Sequence, residues 1–136
     1  MTVRSARVML IGPIRVLLVD DHAMVRQGLR SLLDGYTDIE VVGEASDGEE
    51  ALAGIVTHQP AVVVMDINMP KMNGIETTAV LKDRYPKIIV IGLSVQAAEE
   101  MQQAMLQAGA SALLTKEAAV DQLYQTIQAV QKAIYT

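Results

Sequence analysis

The chain has 136 residues, 51% of them hydrophobic, a net charge of −5, and no cysteine, phenylalanine or tryptophan. That length and apolar content suit one folded domain with a real core and argue against disorder, while the acidic balance argues against a nucleic-acid-binding surface, which needs a basic patch. Lack of cysteine removes disulfides, zinc–thiolate sites and a thiol nucleophile, and no apolar run approaches the roughly 20 residues that span a bilayer.

In chain order, Met1 to Leu10 carries Arg4 and Arg7 ahead of an apolar stretch that stops at Gly12-Pro13. No small-residue cleavage site follows, so the expectation is a flexible tail or linker over residues 1–13 and not a signal peptide. A single cytoplasmic domain is expected over residues 14–136. Its first strand runs from Arg15 to Val19 and ends at Asp20-Asp21. Ala23 to Leu33 reads as a helix, with Met24, Val25, Leu29, Leu32 and Leu33 on one face and Arg26 and Arg30 on another. Asp34-Gly35 ends it. A second strand runs from about Ile39 to Gly43. Asp47 then reads as an N-cap with Glu50 three residues on, opening a helix that carries Leu52, Ile55 and Val56 and stops before Pro60. The third strand, Ala61 to Met65, is apolar throughout, as a central strand covered on both faces should be.

A loop from Asp66 to Asn73 leads to a helix over about Ile75 to Arg84, which Tyr85-Pro86 terminates. The fourth strand, Ile88 to Leu93, ends at Ser94. Ala97 to Ala108 is a helix with Gly109 as its C′ residue. The fifth strand, Ala112 to Thr115, runs into Lys116. The last helix covers about Ala118 to Tyr135, repeating Val120, Leu123, Tyr124, Ile127, Val130 and Ile134 at helical spacing. No internal repeat or second domain is evident.

Strands that alternate with helices lie parallel in one sheet, and ligands bind beyond the carboxyl ends of such strands. Asp20, Asp21, Asp66, Ser94 and Lys116 would all meet there. Three carboxylates, a hydroxyl and an ammonium form a site that binds a divalent metal and accepts a phosphoryl group. Each residue has a plainer reading. Asp20 or Asp21 could cap the helix that follows, Asp66 could form a turn ahead of Pro70, and Ser94 and Lys116 could be solvated residues at strand ends. Together, the acids would repel strongly in a low-dielectric crevice, and a hard cation relieves that. Asp21 and Asp66 are expected as direct Mg²⁺ ligands, with Asp20 acting directly or through water and the Asn68 backbone carbonyl as a further ligand. Asp66 is also the candidate nucleophile for an aspartyl phosphate. Lys116 would neutralise phosphoryl oxygens, and the Ser94 hydroxyl would donate to one of them. His22 reads as a first-turn residue beside the site, and His58 as a solvated residue near a helix end.

At this point the chain resembles the receiver domain of bacterial two-component response regulators. The carrying stretches are Val16 to His22, Met65 to Pro70, Met72-Asn73-Gly74, Val90 to Ser94, Ala108-Gly109-Ala110 and Lys116. The stretch Asp20 to Leu33 is most similar to receivers that precede a helix-turn-helix output domain and to C-terminal receivers of hybrid sensor kinases. The resemblance implies an α/β, doubly wound five-stranded parallel sheet with five helices, the flavodoxin-like receiver fold. It implies that Asp66 accepts a phosphoryl group from a histidine kinase or phosphotransfer protein. It further implies Mg²⁺ held by Asp20, Asp21, Asp66 and the Asn68 carbonyl, and a change read at the surface of the fourth helix, fifth strand and fifth helix.

Three departures stand out. Leu113 occupies the position, three before the lysine, where many receivers carry a switch aromatic. Glu117 follows Lys116 where many have proline, so no cis bond is expected there. No output domain follows the fifth helix, which leaves open a stand-alone receiver, a fragment of a larger regulator, or a piece of a hybrid kinase. The expected output surface is poor in charge, with Gln102, Gln103, Gln107, Ala112, Leu114 and Gln122 bordered by Lys116, Glu117 and Asp121. It suits a partner protein or a symmetric homodimer as well as it suits an ordinary helix face. Asn68 and Gln96 are expected to flank the phosphoryl position and to orient or obstruct a hydrolytic water.

The reading is of a signalling phosphoacceptor and not an enzyme, with at most self-phosphorylation from small donors and self-dephosphorylation. Two alternatives compete. A phosphatase of the haloacid-dehalogenase type needs a second acid two residues after the nucleophile, where this chain has Asn68. A receiver-like interaction module that is never phosphorylated fits Leu113 but not the intact acids, Ser94 and Lys116. A flavin module is disfavoured by the scarcity of aromatics.

Overall fold

The computed structural model describes residues 12–96 and 98–135. Ten elements alternate along the chain: β1 (Ile14–Val19), α1 (Ala23–Asp34), β2 (Ile39–Ala45), α2 (Gly48–His58), β3 (Val62–Asp66), α3 (Gly74–Arg84), β4 (Ile89–Ser94), α4 (Glu99–Ala108), β5 (Ala112–Thr115) and α5 (Lys116–Tyr135). The strands form one sheet in the order β2-β1-β3-β4-β5, with every pairing parallel. This is the expected doubly wound fold of the flavodoxin-like type, whose order reverses between β1 and β3. The expected tail falls, apart from Gly12 and Pro13, outside the described residues, as does Ala97, the expected start of the fourth helix.

Side chains alternate across the strands, so each central strand feeds two cores. Val16, Leu18, Val62, Val64, Ile89, Ile91 and Leu93 pack with Leu29 and Leu33 of α1 and Ala119, Leu123 and Ile127 of α5. Leu17, Val19, Val63, Met65 and Val90 pack with Ala51 and Ile55 of α2, Leu81 of α3 and Met105 of α4. Thus α1 and α5 cover one face of the sheet, and α2, α3 and α4 the other.

Local chemistry sets the element ends. The Asp47 carboxylate accepts the Glu50 N–H at 2.8 Å, as expected of an N-cap. Glu50 reaches back one residue further than a reciprocal capping box would, accepting from the Ser46 N–H and hydroxyl. Asn73 caps α3 by accepting the Glu76 N–H at 2.9 Å. The Thr115 hydroxyl accepts the Ala118 N–H at 3.0 Å, so α5 begins at Lys116 and not at Ala118. Gly109 closes α4 with φ +116°, a left-handed conformation that glycine adopts without strain. β2 runs two residues beyond its expected end because a bulge shifts its register against β1, after which Leu17 pairs with Gly43 and Val19 with Ala45.

Met24, on the apolar face of α1 that reads as core or partner-facing packing, is 85% exposed. Ala112 and Leu114 are half-buried against the α1–α5 core, so the outward-facing glutamines of the expected output surface are Gln103, Gln107 and Gln122. Exposed Leu106 adds an apolar residue on α4. All peptide bonds among the described residues are trans, Glu117 included. No helix among them is long and apolar enough to cross a membrane.

Candidate functional site

Parallel register assembles the site. Val19 pairs with Met65, so Asp20 and Asp66 each lie one step beyond that pair. Asp66 pairs with Leu93, and Ser94 with Thr115, which carries the same step outward to Lys116. Two further bonds hold the strand ends together: Asp20 N–H donates to the Ala45 carbonyl at 3.0 Å and Ile67 N–H to the Leu93 carbonyl at 2.9 Å. Asp20 and Asp66 are 1% and 0% exposed, whereas the Asp21 side chain, on the connection to α1, retains 28% of its surface.

Lys116 Nζ lies 2.9 Å from Asp20 Oδ2 and 3.4 Å from Asp66 Oδ2. These are charge contacts without hydrogen-bonding direction, and both oxygens, with Asp21 Oδ1, stay buried with no hydrogen-bond partner. Asp66 Oδ1 accepts the Asn68 N–H at 3.2 Å. Burial and the nearby Asp20 charge push the Asp66 carboxyl up to about 6, against the opposing pull of Lys116 and the Asn68 N–H. Burial would lower the Lys116 pKa, but attraction to Asp20 and Asp66 outweighs it and raises the ammonium above its usual value. Lys116 therefore stays charged at neutral pH. Ser94 is 1% exposed and its hydroxyl has no partner.

Donor atoms of Asp20, Asp21, His22 and Asp66 lie within 4.8 Å of one another. Buried carboxylate oxygens that lack donors and repel one another are what a hard divalent cation neutralises, so these residues fit such an ion. The capping alternative for the acid pair holds only in part. Asp20 Oδ1 accepts the His22 N–H at 2.8 Å, tying down the helix start, but α1 has no side-chain N-cap bond of its own.

A family model described as response regulator receiver domain matches residues 16–128. The chain belongs to that family. It is 40% identical over 117 residues to the response regulator GacA of Pseudomonas protegens, covering 86% of this chain and 55% of the relative. The chain spans about half the length of the curated relatives it matches. Among solved structures it is similar to a two-component response regulator of the LuxR family from Aurantimonas sp. SI85-9A1. That match has 31% identity and a TM-score of 0.85, and covers 89% of this chain and 86% of the other. It is also similar to a chain of the CheX–CheY–BeF3⁻–Mg²⁺ complex from Borrelia burgdorferi. There the identity is 28% and the TM-score 0.80, covering 87% of this chain and 89% of the other.

Within this receiver domain, the His22 ring lies beside the site as expected, 3.3 Å from Asp20 Oδ1 and 3.2 Å from Asp21 Oδ1. Two features escaped the sequence reading. Arg26 donates to the Asp20 carbonyl at 2.5 Å and to Glu44 of β2 at 2.9 Å, while Arg30 takes the other Glu44 oxygen at 2.9 Å. Burial works against ionising Glu44, but the hydrogen bonds from Arg30 and Arg26 prevail and hold it below the usual carboxylate range. The signal available was two arginines one helical turn apart after the acid pair. Last, half-buried Leu113 lies over Gly92, where an added Cβ would come within 2.6 Å of Leu113 Cδ1 and 3.1 Å of Met105. The leucine at the switch-aromatic position thus fills a notch that glycine opens in β4. Asn68 and Gln96 both have exposed side chains near the rim.

Proposed function

We propose that this receiver domain is a phosphorylation-activated signalling switch of a two-component phosphorelay, with Asp66 as phosphoacceptor. The observation that carries the reading is a fully buried carboxylate at the end of β3 whose Oδ2 has no hydrogen-bond partner and faces the Lys116 ammonium. That oxygen keeps a lone pair for bonding, and a cation stands ready for the charge that arrives. In the transfer, Asp66 Oδ2 bonds to phosphorus as the phosphorus–nitrogen bond of a phosphohistidine breaks, and the electron pair leaves with the imidazole. Lys116 neutralises phosphoryl oxygens, and the unpartnered Ser94 hydroxyl donates to one.

Asp20, Asp21, Asp66 and the Asn68 backbone carbonyl would hold Mg²⁺, which when bound offsets carboxylate repulsion and the phosphoryl charge. The Borrelia burgdorferi complex, which contains BeF3⁻ and Mg²⁺, supports this choice of ion. The donor of the phosphoryl group is a sensor histidine kinase or a phosphotransfer protein, met in the cytoplasm. The functional unit is residues 14–136, preceded by a short tail, and it contacts neither nucleic acid nor membrane. It is a phosphoacceptor and not an enzyme, beyond self-phosphorylation from small donors and self-dephosphorylation. The response is read at the surface of α4, β5 and α5, where exposed Gln103, Gln107, Leu106 and Gln122 suit a partner or a second copy of the chain.

One observation favours a second reading. Leu113, wedged over Gly92, offers no ring to rotate, as a receiver-like interaction module that is never phosphorylated would tolerate. Incubation with a small phosphodonor and Mg²⁺ separates the two. The switch gains the mass of one phosphoryl group and Asp66→Ala abolishes the gain, whereas a chain that gains nothing at any donor concentration is the passive module.

A further inference from the structure

We propose that Val8-Met9-Leu10-Ile11, the apolar stretch ahead of β1, docks in the groove between α1 and α5 of its own chain. The groove has a volume of about 380 Å³ and is lined by Met24, Val25, Leu29 and Leu32 of α1 and by Lys116 and Val120 of α5. Met24 and Val120 are 85% and 60% exposed, and over Gly28 nothing lies within 4 Å of where a Cβ would stand. A volume of that size suits a small molecule, but small-molecule sites place several polar groups to orient their ligand. Here the one charged side chain is Lys116, whose ammonium already faces Asp20 and Asp66. The lining calls for an apolar occupant.

The chain supplies one within reach. Ile14 N–H donates to the Asp38 carbonyl at 2.9 Å, and the Asp38 carboxylate accepts from Tyr124 and Gln128 of α5. The chain therefore enters β1 beside the seam that α5 makes with the end of α1. Gly12 has φ +81°, a left-handed backbone that glycine adopts freely and that breaks the extended line of β1. Crossing the helix layer takes about 10 Å, one helix diameter, and Leu32 to Met24 is about 12 Å at 1.5 Å per residue. Val8 to Pro13 spans about 20 Å when extended, so the four apolar residues fall along the groove. Arg4 and Arg7, the only charged side chains ahead of Gly12, then come to its far end, beside Asp21 before α1 and the exposed Glu117 and Asp121 of α5. Docked there, the stretch keeps a partner helix or a second copy off this face.

The chain has no cysteine, so an engineered pair reports proximity without background. The test is mild oxidation of the full chain carrying Val8→Cys with Met24→Cys, against Val8→Cys with Val56→Cys as control. Val56 is 65% exposed on α2, and the end of that helix is held to β1 by Arg15 Nη2 donating to the His58 carbonyl at 2.6 Å. An undocked segment would therefore reach Val56 as readily as Met24. A disulfide closes only when the two Cα atoms come within about 7 Å. The expected result is an intramolecular disulfide in the Met24 pair, seen as loss of two hydrogens in the monomer mass, forming at least about ten-fold faster than in the control. Adding Leu10→Asp and Ile11→Asp to the Met24 pair should slow it to the control rate. These two changes lie ahead of the folded core. Equal rates in the two pairs, a rate unmoved by the aspartates, or disulfide-linked dimers from the Met24 pair would each overturn the proposal, the last by assigning the groove to a second copy. None of these outcomes bears on phosphorylation of Asp66.

Discussion

At the scale of the residue, Asp66 concentrates the physics of the site. Its carboxyl is raised to about 6 by burial first and the Asp20 charge second, against about 3.9 for an unfolded aspartate. Between those values the folded chain holds a proton that the unfolded chain has released, so folding stability falls as pH rises across the window. The contribution is fully present below about pH 4 and lost above about pH 6. In metal-free buffer, Asp66→Asn should remove this part of the pH dependence, which is worth on the order of 3 kcal/mol over the whole window. Thermal melts of both proteins at pH 5 and pH 7 check it: the variant should gain on the wild type at pH 7, and parallel curves would contradict the assignment. Gly74 is bound to the same residue by space. A Cβ there would sit 2.1 Å from the Asp66 carbonyl oxygen, where the Gly74 N–H bonds the Ile67 carbonyl at 2.8 Å. The loop after Asp66 can fold back tightly only with glycine at that point.

At the scale of the element, helix ends and their polar partners decide where side chains arrive. Thr115, the last residue of β5, caps α5, so the helix opens at Lys116 and sends the lysine into the acidic rim from its first turn. On the other side, Arg26 and Arg30 fasten α1 to Glu44 of β2, and Arg26 also holds the Asp20 carbonyl. The far half of α5 is fixed by stacking of Tyr36 on Tyr124, with ring centroids 3.5 Å apart, and by Asp38 accepting from Tyr124 and Gln128. Asp47 does similar work for α2. Asp47→Ala should cost about 1 kcal/mol, read as a lower urea midpoint with an unchanged slope. Its Mg²⁺ response should remain that of the wild type, since Asp47 belongs to the cap and not to the acid cluster.

At the scale of the whole molecule, one sheet stores the repulsion and two helical layers hold it in place. Asp20 and Asp66 cannot separate without breaking the β1–β3 register on which both cores rest. A cation that binds the folded state should therefore stabilise the entire domain, by about 2.7 kcal/mol at a hundred times its dissociation constant. Titrating Mg²⁺ should raise the melting temperature progressively. Asp21→Ala should flatten that rise at little cost to the metal-free fold, because Asp21 is the most exposed of the three acids. A rise of undiminished size in the variant would place the ion elsewhere.

Periodicity and turn chemistry made all five strands and five helices legible, because buried strands must be apolar and helix ends need caps. Asp20, Asp21, Asp66, Ser94 and Lys116 were legible too, since each ends a strand of a sheet whose ligand edge is known in advance. Boundaries shifted by a residue or two where local hydrogen bonds override pattern, as at Thr115 and the β2 bulge. What only tertiary structure decided is how the helices rotate on the sheet. That rotation exposes Met24 and aims Arg26 and Arg30 at Glu44, while β4–β5 pairing seats Leu113 in the notch over Gly92. The contacts with Glu44 and Gly92 join residues far apart along the chain, so the packing of separate elements sets them.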